Sequence, residues 1–337
     1  MPEWLWKGKN SKHSSNIQLE VHLNQDSAKW ITHNLNLYSP GDRPKVSLES
    51  ILLCDPENAP TDIYLFRKTR AEINIRTVWP SPVDGARRVA TRSNATVDNI
   101  DNRQSILAQR NDPESLPEIT ALRSAYEGIR VYGSLLSGSM KAAREPQAAD
   151  LDHRFLEEDA SNLALVLNDF QTRPQEFREV VELLKQFYSR VQNIVTRVNF
   201  GTVQVYLQEE GLERLVPATR LSDGTIRFLA LLCILCHPNP PPLVCIEDPE
   251  TGLHPDIMPL VAELLIKAAK RTQLVVTTHS DLLVSQLSET PEVVLVAERD
   301  DEGSSLRRLE PERLNEWLSD YSLGEAWLKG AIGGVRW

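Results

Sequence analysis

Glu247 and Asp248 close the apolar run 243–246, and two adjacent carboxylates in that place can divide a reaction between them. In open parallel sheets, ligands sit beyond the carboxyl ends of the strands. There one acid can hold a magnesium ion through its water shell. The other can orient or deprotonate an attacking water. A solvated turn would use the same two residues, so the pair gains meaning only from its neighbours. Upstream, Ser222 and Gly224 stand at the start of an apolar helix expected over residues 225–237. A hydroxyl and free backbone N–H groups at a helix start form an anion site, and the same serine can serve as an ordinary N-cap. Downstream, His279 ends a strand expected over 273–278. It is either a titratable group at a ligand edge or a satisfied polar residue.

These residues lie in three motifs of fixed order: Leu221-Ser222-Asp223-Gly224-Thr225, Glu247-Asp248-Pro249-Glu250-Thr251-Gly252-Leu253-His254-Pro255 and Thr277-Thr278-His279-Ser280. The second resembles the Walker B and D-loop of ABC-type ATPases, in the AAA family branch related to the structural-maintenance-of-chromosomes (SMC) and RecF-like proteins. By that resemblance Glu247 takes the magnesium-side role and Asp248 that of the catalytic glutamate, with Asp248 a second candidate ligand for the magnesium. The usual order, Asp then Glu, is reversed, and Asp248 is one methylene shorter. The first motif resembles the ABC signature Leu-Ser-Gly-Gly-Gln, with Asp and Thr replacing two positions. His279 matches the switch histidine that senses the γ-phosphate. Residues 105–109, 201–208 and 321–337 also look like this group, so the resemblance covers essentially the whole chain. Gln109 then reads as a magnesium-side glutamine or as a surface helix residue.

The resemblance implies ATP and Mg2+ as ligands and a head-to-tail dimer, formed with a second copy or an ATPase partner chain. Ser222 and Gly224 would close over the ATP of the other protomer. Glu247, Asp248 and His279 would serve their own. It also implies a phosphate-binding P-loop, and no G-x-x-x-x-G-K-[ST] run occurs in the 337 residues. The expectation is an ATP hydrolase truncated at the N-terminus, without its Walker A segment and impaired as an isolated chain. The alternative is a non-catalytic subunit or fragment that lends its signature face to a complete partner. Residues 128–134 have P-loop glycine spacing, but they lack the lysine and carry bulky side chains where phosphates must be wrapped.

The elements that must position these residues follow from periodicity. Ile17, Leu19, Val21 and Leu23 alternate with polar residues, as in a half-buried strand. Similar runs at 30–37, 46–54, 63–66 and 71–78 predict an antiparallel sheet, and the polar stretch 80–101 reads as an exposed loop. Helical spacing appears over 156–170 and 175–192. Residues 203–207 alternate as a strand. Beyond 221, apolar strands separated by helices predict a parallel sheet covered on both faces. The fold class is α/β: an ABC-type P-loop NTPase fold, incomplete at the N-terminus, with an antiparallel β-rich lobe and a helical insertion. By sequence character the lobes are 1–103, 104–220 and 221–337, the last holding signature, Walker B, D-loop and H-loop.

Composition narrows the class. The formal charge is −10, and all of it arises beyond residue 120. An acidic body argues against a broad nucleic-acid grip, which needs clustered Lys and Arg, and leaves nucleic acid open as a partner only through a local basic groove. The longest apolar run, 228–236, is far too short to span a membrane. Cys54, Cys233, Cys236 and Cys245 are too few for a disulfide framework. Cys233 and Cys236, inside an apolar helix, read as buried small hydrophobes. The expected location is the cytoplasm.

Overall fold

The alternating pattern of the first hundred residues folds into strands, as expected. The computed structural model describes residues 14–22, 30–38, 45–54, 63–68, 73–80, 87–93, 101, 104–114, 116–133, 140–299 and 303–334. Contacts divide them into two compact units, 1–128 with 300–303, and 129–299 with 304–337. The three lobes above divide the chain by sequence character, these two by contact.

In the first unit, β1 (Ser14–Val21), β2 (Trp30–Tyr38), β3 (Lys45–Cys54), β4 (Ile63–Lys68), β5 (Ile73–Pro80) and β6 (Arg87–Ser93) form one sheet in sequence order. Every pairing is antiparallel. β6 corrects the loop expected over 80–101. Its residues are mostly polar, so no apolar period marks them, and pairing with β5 from Asn74↔Ser93 to Pro80↔Arg87 supplies the backbone partners. Two helices follow, α1 (Ile106–Gln109) and α2 (Pro117–Glu127). Ile31, Ile51 and Leu53 from the sheet pack with Ile106, Leu107, Ile119 and Leu122.

A polar cluster lies inside this unit. Glu49 is 2% exposed and His33 3%. Glu49 accepts hydrogen bonds from the Ser105 hydroxyl and the Ile106 N–H, and it pairs with His33 Nε2 at 3.0 Å. His33 Nδ1 lies 3.1 Å from the Tyr126 hydroxyl. Burial and the Glu49 carboxylate push the Tyr126 phenol up to about 12.

The second unit contains β7 (Arg130–Tyr132), α3 (Lys141–Arg144), β8 (Gln147–Ala148), α4 (Leu163–Gln171), α5 (Pro174–Phe187), β9 (Val191–Asn199), β10 (Thr202–Glu209), β11 (Val216–Pro217), α6 (Asp223–Leu235), β12 (Leu243–Glu247), α7 (Met258–Ala269), β13 (Gln273–Thr277), α8 (Asp281–Ser285), β14 (Leu295–Arg299), β15 (Ser304–Arg308), α9 (Pro311–Leu318) and α10 (Leu323–Leu328). β13, β12 and β7 form the expected parallel sheet, with β12 central, but not the expected cover on both of its faces. Within the stretch of P-loop glycine spacing, Arg130–Tyr132 thus form a strand. On one face Tyr132, Val244 and Ile246 are buried in the same core as α6, which is buried continuously from Phe228 to Leu235. On the other face Val131 and Val275 flank Cys245 in register and are 58% and 49% exposed.

β8, β9, β10 and β11 make a second, antiparallel sheet. α4 starts at Leu163, later than the apolar spacing from 156 suggested, because Asn162 holds the preceding loop. Its Oδ1 accepts from the Glu157 N–H, and its Nδ2 donates to the Asp152 and Phe155 carbonyls, each at 2.8 Å. The C-terminal helices pack on α8. A Cβ on Gly324 would lie 2.1 Å from the Asp281 carbonyl oxygen, so only glycine permits this approach of α10.

Candidate functional site

The parallel sheet brings the motif residues to one edge. Glu247 is the last residue of β12 and pairs in register with Thr277, the last of β13. Both chains turn there, and the two turns are tied together. The Asp248 N–H donates to the Thr277 carbonyl at 3.0 Å. Glu250 Oε1 accepts from the Thr278 hydroxyl at 2.7 Å and from the His279 N–H at 2.9 Å. Thr278 Oγ1 also accepts from the Ser280 N–H, and Ser280 caps α8. His279 therefore sits in a turn braced from both sides, with its side chain exposed.

Asp248 stands out in backbone and side chain. Its φ is +45°, in the left-handed region that non-glycine residues seldom occupy. Its Oδ1 is buried and has no hydrogen-bond partner among the described residues, and the same holds for Glu250 Oε2. A buried acceptor without a donor costs roughly 1–3 kcal/mol, and backbone outliers concentrate where function overdetermines them.

Glu247 points elsewhere. A Cβ on Gly133, just beyond β7, would meet Glu247 Oε2 at 3.2 Å and Glu158 Oε1 at 3.7 Å. The glycine leaves room for two carboxylates in one place. Among the described residues no three His, Cys, Asp or Glu side chains form a metal cage. Two hard oxygen donors are the set Mg2+ takes when phosphates and water complete its shell. The residues present fit that ion.

The segment 221–225 reaches the same loop from α6. A Cβ on Gly224 would lie 3.2 Å from the Gly252 carbonyl oxygen, and Arg227 Nη1 donates to the Thr251 carbonyl at 3.2 Å. Ser222 is the N-cap of α6, accepting from the Thr225 N–H at 3.1 Å, and it remains exposed. Arg144 secures the approach. It donates to the Ala218 and Leu221 carbonyls and pairs with Asp223. Arg144 thereby offsets the one negative charge at this helix start, which would otherwise repel an anion.

Sequence reading placed Ser222, Gly224, Glu247, Asp248 and His279 here and left out Glu250, Glu158 and Arg144. Glu250 lies inside the motif, and its role appears only once β13 lies beside β12. Glu158 and Arg144 come from distant segments without a motif of their own. Gln109, in the first unit, is occupied locally. Its Nε2 donates to the Asp101, Gln104 and Ser105 carbonyls, and its Oε1 accepts from the Asp101 N–H.

A family model described as "AAA domain, putative AbiEii toxin, Type IV TA system" matches residues 70–285, well over half of the chain. The chain belongs to this AAA domain family. The match spans every residue of the site just described. Among solved structures, the SmcHead bound to the C-winged helix domain of ScpA is similar at 14% identity and a TM-score of 0.50, covering 90% of this chain and 78% of that one. The SMC head domain from Thermotoga maritima matches at 13% identity and a TM-score of 0.42, with the same coverages. No curated protein matches in sequence. This AAA domain thus has the α/β fold of the SMC-type, ABC-class ATPase heads. Its Cys233 lies in α6 and Cys236 caps the end of that helix, and burial pushes both thiols up. No helix among the described residues is long and apolar enough to cross a membrane.

Proposed function

We propose that this AAA domain binds ATP and takes part in its hydrolysis at a head-to-tail interface with a second copy or an ATPase partner chain. The observation that carries this reading is Asp248. It is a carboxylate at the carboxyl end of a central parallel strand, held at positive φ, with one buried oxygen unpartnered among the described residues. Such an oxygen is ready to accept a proton or a hydrogen bond from an attacking water. Glu247, with Glu158 beside it, would hold Mg2+. When bound, that ion neutralises charge on the transferring phosphoryl oxygens. His279 stands exposed in the braced turn beside Asp248, placed to meet the terminal phosphate. Ser222 and Gly224 present the start of α6 outward, with Asp223 offset by Arg144, and would contact nucleotide held by the other protomer.

The 337 residues contain no G-x-x-x-x-G-K-[ST] run, the loop that makes most phosphate contacts in this class. Turnover by this chain alone is therefore expected to be weak. A second reading has the chain lend its signature face to a complete ATPase partner, and the exposed Ser222 favours it. ATP turnover and ATP binding, measured with the chain alone and with the partner, separate the two. In the first reading Asp248→Asn lowers turnover about 100-fold or more. In the second, Ser222→Ala lowers the partner's turnover and Asp248→Asn leaves it unchanged. Turnover that survives both substitutions would sink the proposal.

A further inference from the structure

Phe200 combines two unfavourable features, and no contact among the described residues offsets either. It stands at the tip of the hairpin joining β9 to β10, where Asn199 pairs with Thr202 and only Phe200 and Gly201 form the turn. Their φ angles are +48° and +77°. Positive φ at both turn residues is the type I′ geometry, which favours Asn-Gly and Asp-Gly because a short polar side chain tolerates the left-handed region. A bulky aromatic residue there is an outlier. Phe200 is also fully exposed. We infer that Phe200 anchors a docking surface for another protein, and that the segment it receives is a basic amphipathic helix. The inference stands apart from the ATP site.

The surface around Phe200 is apolar at its centre. The Ala149 N–H donates to the Gly201 carbonyl at 2.9 Å, which lays the chain after β8 against the hairpin tip. Ala148 and Ala149 are exposed there, Leu151 is 43% exposed, and Val198 on β9 is 60% exposed. Exposed apolar residues scattered singly are ordinary, whereas a group of them around one strained turn marks an interaction site. The rim of this patch is acidic. Leu151 also lines an open cavity of about 510 Å³ together with Asp152, Glu157, Glu158 and Asp159, and no Lys or Arg is among its described lining residues. Asp150 adds a further acid, and Arg154 is the only Lys or Arg between 148 and 162. Arg197 on β9 leans away from the tip, its guanidinium 5.3 Å from the centre of the Tyr206 ring. This charge selects among occupants. A second copy docked about a two-fold axis at the tip would bring two acidic rims together. A nucleic acid would meet the same repulsion. A helix with an apolar face flanked by Lys or Arg fits both parts of the surface. Its apolar face covers Phe200, Val198 and Leu151, and its cations enter the acidic cavity.

Fluorescence anisotropy with the intact chain and a labelled amphipathic helical peptide of Leu and Lys tests this. The chain should bind that peptide saturably, and a peptide of the same pattern with Glu in place of Lys should not bind. Phe200→Asn should weaken binding about 10-fold or more. The same substitution supplies the preferred Asn-Gly turn, so the denaturation midpoint should rise. Weaker binding together with higher stability is the signature of a residue kept for a partner, and misfolding of the variant cannot produce it. Absence of saturable binding overturns the inference, as does binding that Phe200→Asn leaves unchanged. A lower midpoint in Phe200→Asn also overturns it, because the ring would then be packed in the fold. Equal binding of the Glu peptide overturns the basic character of the partner. Sedimentation of the chain alone covers the remaining occupant: a dimer that dissociates in Phe200→Asn overturns the helix in favour of a second copy.

Discussion

Two clusters in this molecule combine a glutamate, a histidine and hydroxyl groups, and they are built in opposite ways. Around Glu49 the groups answer one another: His33, Ser105 and the Ile106 N–H surround a carboxylate that is almost fully buried. Around Glu250 the groups answer only in part. Oε1 serves two donors, Oε2 and Asp248 Oδ1 have none among the described residues, and His279 faces solvent. Residue types do not distinguish the clusters. Completeness does. A closed network fixes structure, because each member is spent on another. An open one keeps acceptors for something that arrives. The cost of leaving them open is a few kcal/mol of stability that a purely structural network would retain.

Substitutions can break this contrast. The largest effect is expected at Glu49. Glu49→Ala leaves a buried histidine and two donors without their acceptor, and should destabilise the first unit by about 3–5 kcal/mol. A chemical denaturation curve resolves this, and a change below about 1 kcal/mol would mean the cluster is not closed. Asp248→Asn should show the reverse signature. Turnover falls about 100-fold or more, while the denaturation midpoint moves little, because Oδ1 had no partner to lose. A second closed site, Asn162, sharpens the comparison. Asn162→Ala removes three hydrogen bonds from a residue with no exposed surface, and should cost about 2–3 kcal/mol.

Alkaline pH gives a gentler probe. The Tyr126 phenol is pushed up to about 12 by burial and by Glu49. The unfolded chain then loses this proton at a lower pH than the folded one. Stability from Tyr126 is complete below about pH 10 and is lost as the pH rises through about 12. Denaturation midpoints from pH 9 upward should fall in wild type and fall less in Tyr126→Phe. The smallest effect is expected at Arg144, whose partner Asp223 has a side chain 68% exposed. Arg144→Met should change stability by less than about 1 kcal/mol, yet weaken nucleotide-dependent association of the chains through the freed negative charge.

The closed and open clusters were not equally legible. The open one was announced by motifs, because its residues are local: two acids after an apolar run, and a histidine after the next strand. Their order along the chain places them at one sheet edge once the strands are parallel. The closed one left no such trace. His33, Glu49, Ser105 and Tyr126 come from four separate elements, and nothing in their spacing foretells contact. The same reason hid Arg144 and Glu158. β6 was missed because a polar strand takes its partners from β5 and carries no apolar period. The late start of α4 was missed because Asn162 bonds across a ten-residue loop.

The exposed row Val131–Cys245–Val275 makes the protein its own reporter. Cys54 and Cys233 are buried, and burial pushes the Cys236 thiol up to about 12. Cys245 is only partly covered, and its thiol is raised by desolvation, which slows it without silencing it. A maleimide added to the native chain should therefore modify Cys245 first. The rate of that single alkylation then reads, without any engineered label, how open this face of the parallel sheet is in solution.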